Sequence, residues 1–209
     1  MKKNLLPALL LLSACATPNV AVNPRADFTA VKRVAVLSFG GQQGDLAADL
    51  MTQSLLARGA DVVERQRLNA VMEEQRLTAS TAFDPATAKQ LGRLLGVDAL
   101  FVGTVAESTP QASYIVSGAE NARRTTVSQV SGGSVYSEGT VLGLPNSQLL
   151  STTANVSLVS RMVDVQTGSV LWAASMSYEG FDVSAAMNGI TEAFARSLAQ
   201  IWPGLIIQR

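Results

Sequence analysis

The chain has 209 residues, 47% of them hydrophobic, with 16 basic and 16 acidic side chains, one cysteine and no histidine. This length suits one domain, or one domain with an insertion, and the apolar content is sufficient for a core without disulfide bonds. The missing histidine excludes Ser-His-Asp and Cys-His catalysis and histidine metal ligands. A single cysteine excludes an internal disulfide and a cysteine-rich zinc site, and zero net charge argues against a nucleic-acid partner.

The N-terminus indicates export. Residues 1–15 read MKKNLLPALLLLSAC, with two lysines, an apolar stretch and then small residues. The stretch is shorter than the roughly 20 apolar residues of a membrane-spanning helix and is typical of a secretory signal. Its last four residues resemble the lipobox of bacterial lipoproteins and are Leu12, Ser13, Ala14 and Cys15. The alternative is an ordinary cleaved signal with an unrelated cysteine.

The lipobox resemblance implies a signal peptide over 1–14 and acylation of Cys15. Several acyl chains on one residue anchor a protein stably, whereas one chain is marginal. The next residue is Ala16; in similar proteobacterial lipoproteins an aspartate there favours the inner membrane, so the resemblance implies the outer membrane. Cleavage removes two lysines and leaves 14 basic against 16 acidic side chains. The acyl chains, and not surface charge, would hold the protein at the membrane.

Residues 15–30 contain two prolines, few large apolar residues and no periodicity. This composition predicts an extended linker between the lipid and the folded body. Fully extended, such a linker spans about 40 to 50 Å.

From residue 31 the pattern predicts a single αβ domain, whose first half has the order βαβααβ. Helices are expected to stop at Gly59 and Gly96, and one begins with Asp84 as N-cap and Pro85 in its first turn. The predicted elements are strand 32–39, helix 45–58, strand 61–64, helix 67–77, helix 85–95 and strand 99–105.

The second half contains an insertion and then regular structure. Residues 107–153 are rich in serine, threonine and glycine, with brief alternation only around 112–116 and 125–130. Strands at 155–165 and 169–178 flank a tight turn at Gln166-Thr167-Gly168, and a helix covers 183–201. The fold class is therefore α/β (α+β), a mixed β-sheet flanked by helices in the order βαβααβ-insert-ββα.

Two patterns could indicate a site. Gly40, Gly41 and Gly44 between a strand and a helix, with Glu64 some 20 residues on, resemble a dinucleotide-binding turn. The G-x-G-x-x-G spacing would need glycine at Phe39, so a structural turn is the favoured interpretation. Glu73 and Glu74 fit a solvated helix face better than an acid/base pair.

Other residues also favour structural roles. The serines of 107–153 have no histidine base, and Lys32 and Lys89 have no Ser-Lys spacing. Trp172 and Trp202 are expected in the core or at an interface rather than on a ligand. We therefore predict a non-enzymatic protein with no cofactor, no metal and no nucleotide.

Two blocks resemble one known family. The first, 61–105, has the pattern V-x-R-x-x-L-x-x-V-x-x-E-Q-x-L followed by L-G-x-x-x-G-x-D and then G-x-V, and the second, 156–172, has R-x-V-D-x-x-T-G-x-x-L-W. Their marker residues are Val63, Arg65, Leu68, Val71, Glu74, Gln75, Leu77, Leu91, Gly92, Gly96, Asp98, Gly103, Arg161, Asp164, Thr167, Gly168 and Trp172. Both blocks resemble the CsgG-like curli-secretion lipoproteins. The lipoprotein activators of bifunctional penicillin-binding proteins share this plan.

The resemblance implies an outer-membrane lipoprotein with its domain in the periplasm, acting in secretion or assembly of a cell-surface structure, with a homo-oligomer or an envelope protein as partner. The family's pore hairpins are expected on either side of the 155–178 hairpin. The insertion has no alternation of the 9–11 residues that a spanning strand needs. At the position of the second hairpin, the chain passes almost directly from Tyr178 to Val183. The alternative is therefore a tethered regulator that docks onto an envelope enzyme such as a peptidoglycan synthase.

Overall fold

The computed structural model describes residues 17–74, 85–118, 125–130 and 147–206. Strands and helices alternate in the first half, and three consecutive strands occupy the insertion. The elements are β1 Asn19–Val22, β2 Arg33–Val36, α1 Gly44–Leu56, β3 Asp61–Val62, α2 Arg65–Glu74, α3 Pro85–Leu95, β4 Ala99–Thr109, β5 Ser113–Gly118, β6 Thr125–Val130, β7 Ser147–Ser151, β8 Ala154–Asp164, β9 Val170–Gly180 and α4 Val183–Ala199.

The main sheet has six strands in the order β1-β9-β8-β4-β2-β3. Strand β2 runs parallel to β3 and β4, because helices connect these strands, whereas β4, β8, β9 and β1 pair antiparallel. This mixed sheet with flanking helices confirms the predicted fold class.

Helices cover the two faces of the main sheet to different extents. On one face α1 and α4 pack across the sheet, and Met51, Phe101, Trp172 and Phe194 are fully buried there. On the other face α2 and α3 pack against β2 and β4 through residues such as Leu91 and Leu100. The described part of α2 and α3 leaves the second face of β8, β9 and β1 uncovered, so this face is where polar residues appear.

The helix boundaries follow the sequence signals. Gly59 and Gly96 have left-handed φ angles of 83° and 66°, which a residue with a side chain rarely adopts, and each follows a helix. Helix α3 begins at Pro85 as predicted. The proposed N-cap Asp84 and the last predicted turn of α2, residues 75–77, lie outside the described residues.

The structure corrects the linker prediction over 19–22. These residues form β1, which pairs with β9 from Asn19 opposite Ser175 to Val22 opposite Trp172. The sequence signal for this strand was weak. An edge strand of four residues pairs with one neighbour only, so it forms without a long alternation of apolar and polar residues. Only Val20 among them is partly buried, against the α1/α4 core.

Strand β4 also differs from its prediction, because it continues to Thr109. The register against β8 shifts between Val105 and Glu107, which is the signature of a β-bulge. A bulge shifts the apolar alternation by one residue, so the pattern ends at Val105 although the pairing continues. Residues 107–109 therefore belong to the main sheet rather than to the insertion.

The insertion forms a second, three-stranded antiparallel sheet in the order β6-β5-β7. Hydrogen bonds join the two segments through which the chain enters and leaves this sheet. The N–H of Thr152 donates to the carbonyl of Ala112 at 2.8 Å, and the N–H of Ala112 donates to Thr152 Oγ1 at 2.9 Å. Of the two segments with brief alternation in the sequence, 112–116 overlaps β5 and 125–130 coincides with β6.

A salt bridge between a buried arginine and a half-buried glutamate joins the end of α1 to α4. The side chain of Arg58 is only 3% exposed and forms a bidentate pair with Glu192, at 2.6 and 3.3 Å. Next to it, Ser54 Oγ donates to Thr191 Oγ1 at 3.3 Å. A bidentate pair orients both groups, so this contact fixes the position of α1 relative to α4.

Among the helices of the described residues, none has the length and apolar character that a membrane crossing requires.

Glu192→Ala is expected to lower the free energy of unfolding by about 2–3 kcal/mol, because the buried Arg58 guanidinium loses its counter-charge. Urea denaturation followed by far-UV circular dichroism measures this change. The control is Glu73→Ala on an exposed position of α2, which is expected to change stability by less than about 0.5 kcal/mol. Equal effects of the two substitutions would contradict the assigned role of the ion pair.

Candidate functional site

The predicted lipidation site and lipobox, Cys15 and residues 12–14, lie outside the described residues. The first described residue is Thr17, two positions after Cys15. Because β1 begins at Asn19, the position of β1 determines on which side of the domain a lipid on Cys15 would lie.

Register fixes the direction of β1. Asn19 pairs with Ser175 and Val22 with Trp172, so the chain before Asn19 points along β9 towards Gly180. We call this end of the sheet the Thr17 end; it comprises Thr17, Pro18, Tyr178, Gly180 and Phe181. Thr17 lines one shallow hollow with Ser177 of β9 and a second with Gln200 after α4.

The opposite end of the sheet holds the β8–β9 turn at Gly168, and we call it the Gly168 end. Helix α3 ends there, since Ala99 at the start of β4 pairs with Asp164 at the end of β8. The eleven residues of β4 separate the two ends by about 35 Å.

Residues 23–31 are fastened to the domain after β1. Asn23 donates its N–H to Leu171 O at 2.9 Å, and Trp202 Nε1 donates to Val31 O at 3.1 Å. Phe28 is buried, at 7% exposure. The hydroxyl and the N–H of Thr29 donate to Asp27 Oδ1, and these hydrogen bonds lower the pKa of the Asp27 carboxyl. The segment is therefore part of the folded body.

Asp98 connects three strands. Its Oδ2 accepts hydrogen bonds from the backbone N–H groups of Lys32, at 2.8 Å, and Arg33, at 3.0 Å. Its own N–H donates to Arg33 O, and its carbonyl accepts from Val165 N. Asp98 thus joins the start of β2 to the end of β8, which is a structural role.

Asp164 organises the turn between β8 and β9. Its Oδ1 accepts from the N–H of Gln166 at 2.9 Å, and from the N–H and hydroxyl of Thr167 at 2.6 and 2.8 Å. Gly168 closes the turn with a φ of 72°. The D-x-x-T-G pattern therefore encodes a hairpin turn.

Two family-pattern glycines permit close packing. A Cβ on Gly92 of α3 would lie 2.6 Å from the Cβ of Val165, and a Cβ on Gly103 would lie 2.7 Å from the ring of Phe39. Both positions therefore need glycine so that a helix or a side chain can approach the sheet. Leu68 and Leu91, from the same pattern, are buried in the α2/α3 core.

The glycine turn after β2 is occupied by the protein's own sheet. Gly40 N donates to Gly103 O at 2.9 Å, and Val105 N donates to Gly40 O at 2.8 Å. Gly41 has a φ of 89°, and a Cβ there would collide with the carbonyl of Val105. This geometry agrees with the structural-turn interpretation, since the loop extends the β2–β4 pairing.

The remaining candidates also have structural positions. Trp172 and Trp202 are 0% and 2% exposed, and Trp172 packs edge-on against Phe194 with ring centroids 5.6 Å apart. Glu73 and Glu74 are exposed on α2. Within the described residues, no three Cys, Asp or Glu side chains come together as a metal-binding group.

The uncovered face of β8 and β9 is polar and flat. Ser157 and Ser177 share a hydrogen bond of 2.7 Å across the two strands, and Val159, two residues beyond Ser157 on β8, is 37% exposed. Small hydroxyl side chains, with Val159, line a shallow hollow on this face. The sequence did not identify this face, because no motif distinguishes it from a sheet face covered by a helix.

Residues 13–199 match the family model for the curli production assembly/transport component CsgG. The chain belongs to this family. The match begins at Ser13 of the predicted lipobox, includes Cys15 and ends at the last residue of α4. It therefore spans the six-stranded sheet, the insertion and the four helices of the described residues of this CsgG-family chain.

Several solved structures are similar to this chain. The PelC dodecamer from Paraburkholderia phytofirmans is 14% identical with a TM-score of 0.44, covering 84% of this chain and 93% of PelC. Lipoprotein GNA1162 from Neisseria meningitidis is 17% identical with a TM-score of 0.47, covering 81% and 98%. The LpoB C-terminal domain from Salmonella enterica is 14% identical with a TM-score of 0.41, covering 73% and 85%. Comparison with curated proteins gave no significant match.

Asp164→Ala is expected to lower the free energy of unfolding by about 2 kcal/mol, because three hydrogen bonds to one carboxylate oxygen are lost. Asp164→Asn should lose less, since its side-chain oxygen still accepts hydrogen bonds. Gln166→Ala, on an exposed residue of the same turn, serves as the control. Guanidinium denaturation measures all three, and a stable Asp164→Ala variant would refute the turn assignment.

Proposed function

We propose that this chain is an outer-membrane-anchored periplasmic lipoprotein of the CsgG type, a non-enzymatic component in the secretion or assembly of a cell-surface structure. One observation carries the proposal, the CsgG family match over residues 13–199. A match that begins at Ser13 covers Cys15, the proposed acylation position, as well as the folded domain.

The position of the cysteine supports lipid attachment. The chain has one cysteine, and it follows Leu12-Ser13-Ala14 at the end of an apolar segment preceded by two lysines. Cleavage before Cys15 would free its amino group for acylation alongside the sulfur. Acylation at both atoms supplies the several chains that stable anchoring requires.

The roles of the family-pattern residues support a non-enzymatic function. Asp98 and Asp164 hold backbone N–H groups, and Gly92 and Gly103 allow close packing. These residues therefore maintain a scaffold, and the chain has no histidine to serve as a general base. Such a scaffold provides surfaces, including the polar face of β8 and β9, on which copies of the chain or a partner can assemble.

A regulator that docks onto an envelope enzyme is the second candidate. It is favoured by the connection between β9 and α4, where only Phe181 and Asp182 separate Gly180 from Val183. A second pore hairpin would have to emerge at this connection. A chain without it fits a docking protein as well as a secretion component.

Cys15→Ser is expected to abolish acylation and release the mature domain from the membrane fraction, because serine offers no thiol to the acyl transferase. Palmitate labelling and immunoblotting of sedimented membranes measure the two effects. Thr17→Ser, two residues further on, is the control and should leave both unchanged. A Cys15→Ser chain that remains membrane-bound and palmitate-labelled would refute the lipoprotein assignment.

Crosslinking in intact cells separates the two candidate functions. With a photoreactive amino acid at Val159, on the uncovered face, the assembly function predicts crosslinks between copies of the chain or to surface-structure subunits. The regulator predicts crosslinks to a peptidoglycan synthase or another envelope enzyme. Leu55, buried in the α1/α4 core, is the control position and should give neither. Recovery of an envelope enzyme alone would overturn the assembly function.

A further inference from the structure

Strand β1 leaves one edge of the main sheet open. It pairs with β9 on one side and has no second neighbour among the described strands. Asn23 N donates to β9, and hydrogen-bonded residues alternate along antiparallel strands, so Asn19 and Ala21 face β9 in the same way. The N–H and C=O groups of Val20 and Val22 therefore point away from the sheet, towards the position that a further strand would occupy.

No feature of the β1 sequence blocks the addition of a strand. Charged side chains, proline and bulges are the usual devices that protect an edge. Strand β1 reads Asn-Val-Ala-Val, with no charge and two β-branched residues, and its register against β9 has no bulge. Pro18 and Pro24 stand on either side of it, so the open edge is confined to the residues between them.

A hollow of about 220 Å³ lies beside this edge, between β1 and α4. Val20 of β1 and Ala193 of α4 give it an apolar lining next to the α1/α4 core. The polar part of the lining includes Thr17, Arg196, Ser197 and Gln200. Opposite residues of an antiparallel pair project onto the same face of a sheet. A residue added opposite Val20 would therefore direct its side chain into the hollow.

Val22 extends the apolar side of the edge. It projects onto the same face as Val20, because the two residues are two positions apart in a strand. Its exposed fraction is 41%, and an apolar side chain placed opposite it would cover it. The edge therefore favours a strand with apolar residues at two alternate positions, which is how a sheet edge selects a peptide.

The charge beside the edge comes from Arg196. Glu192 forms the bidentate pair with Arg58, at 2.6 and 3.3 Å, and its Oε1 lies 3.9 Å from Arg196. One carboxylate cannot neutralise two guanidinium groups, and the side chain of Arg196 is 63% exposed where it lines the hollow. A positive charge therefore remains beside the open edge and favours a carboxylate on the occupant.

We propose that the open edge of β1 and the hollow against α4 form a groove that binds an extended segment of a partner protein as an added antiparallel strand. Two alternate side chains of the segment are apolar and lie beside Val20 and Val22, and a carboxylate on the same side pairs with Arg196. Main-chain hydrogen bonds to β1 provide affinity, and the hollow provides specificity. The groove belongs to the folded domain, so the proposal does not depend on lipid attachment.

An NMR titration tests the groove. Isotope-labelled residues 15–209 carrying Cys15→Ser, which cannot be acylated at a thiol, are titrated with the peptide acetyl-TVTVTD-amide. The two valines and the aspartate of this peptide lie on one side of an extended strand. Saturable shift changes are expected at the backbone amides of Val20, Val22 and Ala193. Absence of saturable changes there at millimolar peptide would overturn the proposal.

Two N-methylated peptides distinguish strand addition from other binding. In an antiparallel strand, the N–H of the second valine faces β1 and that of the threonine before it faces solvent. Methylation of the valine nitrogen is expected to weaken binding by about tenfold or more, because one main-chain hydrogen bond is lost. Methylation of the threonine nitrogen should weaken it less than about threefold. Equal effects would overturn the antiparallel arrangement, and these peptides need no change to the domain.

A proline in β1 gives the matching test on the protein. Val22→Pro removes an N–H that points away from β9, a position where edge strands tolerate proline, and leaves the N–H groups of Ala21 and Asn23 in place. The thermal melting curve should be retained and peptide affinity should fall by about tenfold. Val22→Thr retains the N–H and is the control. Undiminished peptide binding by folded Val22→Pro would refute strand addition.

The charge of Arg196 is tested by a change of peptide. Lysine in place of the aspartate is expected to weaken binding by about tenfold, and in Arg196→Gln this difference should shrink to about twofold. An unchanged preference in Arg196→Gln would contradict the assigned role of the guanidinium. Shift changes at Val20 and Val22 that depend on protein concentration without peptide would place a second copy on the edge and overturn the assignment to a partner. Acylation, measured by mass spectrometry of protein from cells, tests the proposed function separately.

Discussion

Pairing along the β8–β9 hairpin is the interaction on which the rest of the structure depends. The hairpin supplies the two adjacent strands at the centre of the antiparallel region, and each has a second neighbour, β4 on one side and β1 on the other. Trp172 lies on it at full burial and packs edge-on against Phe101 and Phe194. The hairpin thus connects the helical half of the sheet to the N-terminal strand and also positions α4, which follows after two residues.

The two ends of this hairpin are stabilised differently. At the Gly168 end one carboxylate, that of Asp164, satisfies the backbone of the turn. At the Thr17 end Gly180 lies so close to Ala186 that a Cβ would be 2.6 Å from the Ala186 backbone nitrogen. Close packing of backbone against backbone leaves little freedom, so Phe181 and Asp182 keep a fixed position relative to both the sheet and α4.

Most of the αβ core could be predicted from the sequence because its signals are local. Helix α4 has a long apolar stripe, the β8–β9 turn has Thr167-Gly168, and Gly59 and Gly96 follow helices in the left-handed conformation. The roles of Asp98 and of the Arg58–Glu192 pair were not predictable, since their partners lie 66 and 134 residues away in sequence. Strand β1 was missed for a related reason. A short edge strand forms by pairing with a neighbour, and its neighbour β9 is distant in sequence.

The correction at β1 changes how the candidate site is understood. As a free linker, residues 15–30 would let the domain take any orientation towards the membrane, and no surface would be favoured. With Asn19–Val22 paired to β9, and with hydrogen bonds from Asn23 and to Val31 and the burial of Phe28, residues 19–31 are held against the sheet. A strand antiparallel to β9 must receive its chain from the end at which β9 terminates, so the chain that precedes β1 reaches the domain at the Thr17 end. A four-residue edge strand therefore decides from which end of the sheet the N-terminal segment leaves the domain.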